Sequence, residues 1–173
     1  MTPDYKQIVR AILDEYRLEL WGIHGLGHWA RVLENGLRLA ETTGADMGIV
    51  RLFALFHDSR RQNDYKDDDH GRRGAEFAVS LRNKYFSLSD EDFDRLFKAC
   101  ESHTDEIFHD DVTIQTCWDA DRLDLYRAKS HVHLDFFGTV AAKSPQITAW
   151  AERRSRAHFV PEWIVADWGI TLP

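Results

Sequence analysis

Cysteine and long apolar runs are scarce in this sequence, and each shortage excludes a class of protein. The only cysteines among the 173 residues are Cys100 and Cys117. Two cysteines cannot form a disulfide framework, and both lie in apolar helical patterns, so we expect two reduced, buried thiols. No apolar run reaches the roughly 18 residues of a membrane-spanning helix, and the first residues lack the basic-then-apolar order of a signal peptide. These absences predict a cytoplasmic protein with no membrane partner.

Basic residues are also in deficit. Lysine and arginine number 22 against 29 aspartates and glutamates, which gives a formal net charge of −7. That sign repels a phosphate backbone, so duplex nucleic acid is not an expected partner. The length fits one domain over residues 1–173, and a 43% hydrophobic composition suffices for a core without disulfides.

Strand patterns are missing as well. Apolar residues recur at helical spacing nearly throughout, and no run alternates β-branched with polar residues. The pattern predicts an all-α bundle of about six to eight helices, with the apolar C-terminal segment docked on the core. We expect helices over about 3–20, 29–43, 47–57, 72–85, 90–102 and 112–128, and another from Ser144-Pro145. Asp46 and the sequence Ser89-Asp90-Glu91-Asp92 are expected to cap helix starts.

Histidine, in contrast, is abundant, with nine residues, and several ionisable groups fall on apolar helix faces. His57-Asp58 ends a run that is apolar almost all round, and Asp121, His103 and His28 lie in line with apolar neighbours. A buried carboxylate costs several kcal/mol unless a cation or hydrogen-bond donors compensate. A lone histidine on such a face is usually a hydrogen-bonded core residue, but together these groups indicate a metal site.

The residue types narrow the kind of metal site. Imidazole and carboxylate donors without thiolate suit Mn, Fe, Co, Ni or Zn, and argue against a closed structural zinc. Open coordination positions would permit catalysis. Asp58 would be free to bridge a second ion while His57 binds the first.

The order of these residues resembles the HD-domain superfamily of metal-dependent phosphohydrolases, whose signature is H…HD…D on an all-α bundle. The resemblance covers about 22–126, with the C-terminal helices packing on that core. It rests on the ordered set His28, His57-Asp58 and Asp121. Three longer motifs strengthen it: His28-Trp29-Ala30-Arg31-Val32, His70-Gly71-Arg72-Arg73-Gly74-Ala75 and Ala120-Asp121-Arg122-Leu123.

The resemblance implies that His28, His57, Asp58 and Asp121 are the primary ligands of a divalent transition metal. His70 and His103 fall where a binuclear branch has two further histidines, so the resemblance implies either one or two metal ions per chain. In mononuclear members the equivalent region contacts substrate phosphate instead. Some nucleotidases of the superfamily carry an acidic pair where this chain has Arg61 and Gln62, which argues against close equivalence to them.

The implied function is hydrolysis of a phosphate ester of a nucleotide or another small phosphorylated metabolite by a metal-activated water. Asp58 would orient that water, and His103 would protonate the leaving oxygen if it is not a ligand. His24 could be a substrate-side residue or a residue that supports the metal ligands, and a simple loop histidine is the alternative. The residues proposed to bind the substrate phosphate are Arg60, Arg61, Lys66, Arg72 and Arg73, for each of which a solvated surface role is the alternative.

Two other functions stay open on the sequence. The same six ligands occur in a di-iron oxygenase branch of the superfamily, and a regulatory domain could bind metal without turnover. Oligomeric state is not constrained, and the tryptophan-rich tail suits either the core or a homodimer contact.

Overall fold

The computed structural model describes residues 1–128 and 132–172, and within them the fold is helical. These ranges contain eight α-helices, two short 3-10 segments and one isolated β-bridge, but no strand. The predicted all-α bundle of six to eight helices is confirmed. The helices are α1 (Tyr5–Leu13), α2 (Leu26–Thr43), α3 (Met47–Phe56), α4 (His70–Leu81), α5 (Asp90–Ser102), α6 (Val112–Arg122), α7 (Pro145–Arg156) and α8 (Trp163–Trp168), with 3-10 segments at Leu125–Ala128 and Leu134–Phe136.

Short polar side chains start several of these helices by accepting hydrogen bonds from free backbone N–H groups. Asp46 accepts from the Ile49 N–H at 2.9 Å, and Ser89 accepts from the Asp92 N–H at 3.1 Å. Both caps were expected from the sequence. Gly44, which follows α2, has a φ of 75°, a conformation that glycine adopts without the steric cost of a side chain.

Three predicted helices end earlier than their apolar spacing suggested. The helix expected over about 72–85 is α4, which begins at His70 and ends at Leu81. The first ends at Leu13 instead of near residue 20, and the chain then turns. The turns are held because the Tyr16 hydroxyl donates to the His24 carbonyl at 2.9 Å and the Leu26 N–H donates to the Leu20 carbonyl at 2.8 Å. Helix α6 ends at Arg122, where i to i+3 bonding tightens the chain into the 3-10 segment that follows.

Helix α3 is the central element of the core. Its side chains are buried from Leu52 to Phe56, and it packs against α2, α4, α5 and α6. Ile164 and Trp168 of α8 are also buried, and α8 packs on α1, which confirms that the C-terminal segment docks on the core. Cys100 and Cys117 are free and buried, as expected. In the part of the chain that the structure describes, no helix is both long and apolar enough to cross a membrane.

Two glycines let the start of α4 lie directly against the ends of α3 and α5. A Cβ atom on Gly74 would lie 2.1 Å from the Phe56 carbonyl oxygen, and one on Gly71 would lie 2.3 Å from the Cys100 carbonyl oxygen. No side chain fits at such distances. The glycines therefore fix the spacing of three helix ends.

We expect Gly74→Ala to lower the free energy of unfolding by about 1–3 kcal/mol, because the added methyl group overpacks the contact with Phe56. The direction of this change is informative, because replacing glycine by alanine in an unobstructed helix raises the free energy of unfolding by roughly 0.5–1 kcal/mol. Urea unfolding followed by circular dichroism measures the change. Ser80→Ala, an exposed position on the same helix, is the control and should stay within about 0.5 kcal/mol of wild type. A Gly74→Ala protein as stable as wild type would contradict the close packing.

Candidate metal centre

Five helix ends bring six histidine and aspartate side chains together. His28 lies in the first turn of α2, His57 and Asp58 directly follow α3, and His70 is the first residue of α4. His103 follows α5, and Asp121 lies in the last turn of α6. All six are buried, and the most exposed of them, Asp121, is 8% exposed. The residues predicted as metal ligands thus meet in one buried place.

Four of these residues form a first cluster. The Nε2 atoms of His28 and His57 lie 3.0 Å apart. The Asp58 Oδ2 atom is 3.5 Å from His28 Nε2 and 3.8 Å from His57 Nε2. The Asp121 Oδ1 atom is 3.4 Å from His28 Nε2 and 3.8 Å from His57 Nε2. Two imidazole nitrogens and two carboxylate oxygens therefore face one point.

The other oxygen of Asp58 belongs to a second cluster. Asp58 Oδ1 lies 3.2 Å from His70 Nε2 and 3.7 Å from His103 Nε2. The two Nε2 atoms are themselves 3.0 Å apart. Asp58 consequently joins the clusters, with one oxygen in each, which is the arrangement of a carboxylate that bridges two ions.

The hydrogen bonds on the far side of each ring establish which nitrogen faces the clusters. Each Nδ1 lies 2.5–3.1 Å from an oxygen that can only accept. Each Nδ1 must therefore carry the proton, and each Nε2 of a neutral ring presents a lone pair. The four pairs are His28 with the Asp124 carboxylate, His57 with the Phe53 carbonyl, His70 with the Asp67 carbonyl and His103 with the Cys100 carbonyl.

Both clusters have the chemistry of a cation site. Lone pairs of two neutral imidazoles repel at 3.0 Å unless a cation lies between them. Asp121 Oδ1 is buried and has no hydrogen-bond partner among the described residues, so a protein donor does not satisfy it. Imidazole and carboxylate donors without thiolate suit a divalent transition metal. Two groups, His28 with His57 and Asp58, and Asp58 with His70 and His103, could each hold an ion.

A solved structure shares this fold. It is that of a predicted HD superfamily hydrolase from an uncultured Thermotogales bacterium, which is 25% identical to this chain. The match covers 95% of this chain and 91% of that one, with a TM-score of 0.65. This chain has the fold and the signature residues of the HD superfamily. Comparison with protein-family models gives no match, and no curated protein matches.

Burial and neighbouring charges favour the ionisation states that metal binding needs at His57, Asp58 and Asp121. Burial lowers the pKa of His57 to about 3, so its ring is neutral at pH 7. Burial alone would raise the pKa of Asp58, but the facing histidines outweigh it and hold the pKa well below its ordinary value. The pKa of Asp121 is lowered in the same way by His57 and His28. The ligands are thus a neutral imidazole and two carboxylates.

The pKa of His103 moves in the opposite direction. Burial lowers it, but the facing Asp58 carboxylate and the charge of Asp121 outweigh burial and raise it. A proton and a metal ion therefore compete for His103 Nε2.

Three residues outside the ligand set hold the ligands in place. Asp124 accepts from His28 Nδ1 at 2.8 Å and from Arg31 Nε at 2.7 Å. His24 Nδ1 lies 2.8 Å from Asp58 Oδ2, which gives that histidine a positioning role. Sequence reasoning missed Asp124 and Arg31. The available signal was spacing, since Asp124 comes three residues after Asp121 and so follows it on the same side of the helix end.

Of the five residues predicted to bind substrate phosphate, Arg61 alone hydrogen-bonds a predicted ligand in the described chain. Its Nε donates to Asp58 Oδ1 at 3.0 Å. Lys66 and Arg72 are exposed and pair with acidic neighbours, Asp68 and Glu76. The structure does not bring the five together around the clusters, and their role toward phosphate stays a prediction.

The other two of these residues, Arg60 and Arg73, line a separate cavity together with Arg61. Arg60 is half-buried and stacks on Phe77, and Arg73 pairs with Asp67. Both lie on the Arg61 side of Asp58, as part of one basic cavity.

A cavity of about 340 Å³ adjoins the two clusters on the side of His103 and Asp121. Its walls are largely apolar, with Ile107, Leu125 and Phe136 among the lining residues. Arg122 also lines it, but its Nη1 and Nη2 atoms donate to backbone carbonyls. The cavity therefore gives an organic group access to both clusters.

We expect Asp124→Asn to weaken metal binding by about 10- to 100-fold, because Asp124 fixes the tautomer and orientation of His28. Competition between the protein and a chelator for Mn²⁺ measures the affinity. Asp94→Asn, an exposed aspartate on α5, makes the same chemical change away from the site. If both variants bind Mn²⁺ equally well, Asp124 does not act on the ligand. Urea unfolding of each metal-stripped protein separates a loss of affinity from a loss of stability.

Proposed function

We propose that this protein is a metal-dependent phosphohydrolase that cleaves a phosphate ester of a nucleotide or another small phosphorylated metabolite. One observation carries the proposal: two clusters of imidazole and carboxylate donors share Asp58 beside a cavity of about 340 Å³. A pair of ions bridged by a carboxylate suits displacement at phosphorus, where both the attacking and the leaving oxygen carry charge. The fold shared with a predicted HD superfamily hydrolase supports the same reaction class.

The residues divide between two ions in this proposal. His28, His57, Asp121 and Asp58 would hold the first ion, and His70, His103 and Asp58 would hold the second. Divalent ions of this kind lower the pKa of a bound water from 15.7 to about 7 and polarise a phosphoryl oxygen. The protein itself needs no nucleophilic side chain for hydrolysis.

The contribution of the protein is to fix charge and orientation. Asp58 and Asp121 stay ionised, and Asp58 is held at both oxygens by His24 and Arg61. His103 fits the ligand role better than the acid role, because its Nδ1 is bonded to the Cys100 carbonyl and its Nε2 faces His70. The leaving oxygen then takes its proton from another donor, such as water.

The cavity supports an organic substituent on the phosphate. Ile107, Leu125 and Phe136 offer an apolar surface beside His103 and Asp121, as a nucleoside base or a similar ring would require. Cytoplasmic location and a homodimer stay predictions from the sequence.

The same six ligands, with Asp58 shared by both clusters, also suit a di-iron oxygenase. The two functions differ in iron content and in oxygen consumption. A purified protein that holds two irons, consumes oxygen and releases no phosphate from esters would favour the oxygenase.

We expect His70→Ala to reduce the metal content from two ions per chain to one, because the second cluster loses a ligand while the first keeps four. Elemental analysis after loading with Mn²⁺ or Fe²⁺ and gel filtration measures the stoichiometry. His158→Asn is the control, since His158 is exposed and asparagine tolerates its φ of 47°. A His70→Ala protein that retains two ions would contradict the assignment of the second cluster.

We expect Asp58→Ala to reduce metal-dependent phosphate release by about 100-fold or more, because both ions lose the carboxylate they share. His57→Ala should have a similar effect. A screen of phosphate esters with Mn²⁺, Mg²⁺, Co²⁺ and Ni²⁺ identifies a substrate first, and circular dichroism checks that the helices persist. Asp94→Ala should keep wild-type activity. Equal activity in wild type and Asp58→Ala would refute the proposed function.

A further inference from the structure

A second cavity, of about 270 Å³, lies on the other side of Asp58 and is strongly basic. The described residues that line it supply four guanidinium groups and one carboxylate, although the chain as a whole has a formal net charge of −7. The lining residues are Glu15, Arg17, Arg60, Arg61, Gln62 and Arg73. Asp58 and Asp67 pair with Arg61 and Arg73, so with Glu15 four positive charges face three negative ones, and the cavity keeps a net positive charge on an acidic protein.

Hydrogen bonds to the protein hold three of the four guanidinium groups in fixed positions. Arg60 Nη1 donates to the Ile12 and Ser59 carbonyls at 3.2 and 3.0 Å. Arg73 Nε donates to the Arg60 carbonyl at 3.2 Å, and Arg61 Nη1 donates to two carbonyls of the following loop. Guanidinium groups fixed in this way lose little side-chain entropy when an anion binds.

Part of this donor capacity is not used by the protein. Arg60 Nη2 is buried and has no hydrogen-bond partner among the described residues, and the Glu15 carboxylate is 3.7 Å away from it. Arg17 is exposed at the rim of the cavity. A buried cationic N–H without an acceptor is costly, and an oxyanion that enters the cavity and reaches the Arg60 guanidinium would supply that acceptor.

We propose that this cavity is a binding site for a small phosphate-class oxyanion, separate from the metal clusters. It shares no lining residue with the apolar cavity beside His103 and Asp121. It is linked to the metal centre through Arg61, which lines the cavity and donates to Asp58 Oδ1 at 3.0 Å. An anion that pairs with Arg61 would therefore alter the charge that Asp58 experiences. The proposal needs no hydrolytic turnover, so it does not depend on the proposed function.

Isothermal titration of the metal-loaded protein with inorganic phosphate, at constant ionic strength, tests the site. We expect the double variant Arg17→Gln/Arg73→Gln to bind phosphate at least about tenfold more weakly, because two charged donors are removed. The matched control is Arg10→Gln/Arg153→Gln, which makes the same charge change at exposed positions outside the cavity. Its affinity should stay within about twofold of wild type. Elemental analysis should show unchanged metal content in both variants, and circular dichroism unchanged helicity.

Two results would overturn the proposal. Equal weakening in both double variants would mean that phosphate responds only to net charge. Unchanged affinity in Arg17→Gln/Arg73→Gln would mean that phosphate binds at the metal centre alone. A parallel titration with methyl phosphate distinguishes the source of the anion: the same dependence on Arg17 and Arg73 assigns the site to ester phosphates as well, and its absence restricts the site to the free anion.

Discussion

The structure depends on how the lone pairs and negative charges of a buried group of nitrogen and oxygen atoms are compensated. Four imidazole Nε2 atoms and three carboxylate oxygens face one another across the two clusters, in residues that are at most 8% exposed. Hydrogen bonding alone does not satisfy all of them, because the Nδ1 proton of each ring is already used on the outer side and Asp121 Oδ1 has no donor among the described residues. A cation is the group that makes this arrangement favourable, and the five helix ends are placed so that the donors meet around it.

Helix ends suit this task for a physical reason. The last carbonyls of a helix lack intrahelical partners, so they can accept from a side chain that follows them. The Cys100 carbonyl accepts from His103 in this way, whereas the Phe53 carbonyl accepts from both the backbone N–H and the ring of His57. Both ring bonds turn Nε2 toward the clusters. The glycines of α4 complete the arrangement, because Gly71 and Gly74 let His70 approach the ends of α3 and α5. The motif His70-Gly71-Arg72-Arg73-Gly74-Ala75 thus has a packing explanation as well as a family resemblance.

The sequence predicted the ligands better than it predicted the residues that support them. Asp121 was found because a carboxylate on an apolar helix face needs compensation, and the same logic applied to His57-Asp58. The same reasoning assigned no role to its neighbours Asp119 and Asp124, which are also buried. Asp119 accepts from the backbone of a remote loop at Gly138 and Thr139, and such a partner appears only in the tertiary structure. The end of α1 was not predicted for the same reason, because the spacing of apolar residues does not reveal the hydrogen bond from Tyr16 to His24.

Asp58 connects the two halves of the site. Each of its oxygens has a histidine cluster on one side and a supporting partner on the other, His24 at Oδ2 and Arg61 at Oδ1. The surroundings are unequal: the cavity beside His103 and Asp121 is apolar, whereas the cavity beside Arg61 is basic. Both clusters share this one carboxylate. A change in the hydrogen bond from Arg61 to Asp58 Oδ1 would therefore affect both clusters. The charge of the basic cavity and the chemistry of the metal centre are therefore coupled through a single side chain.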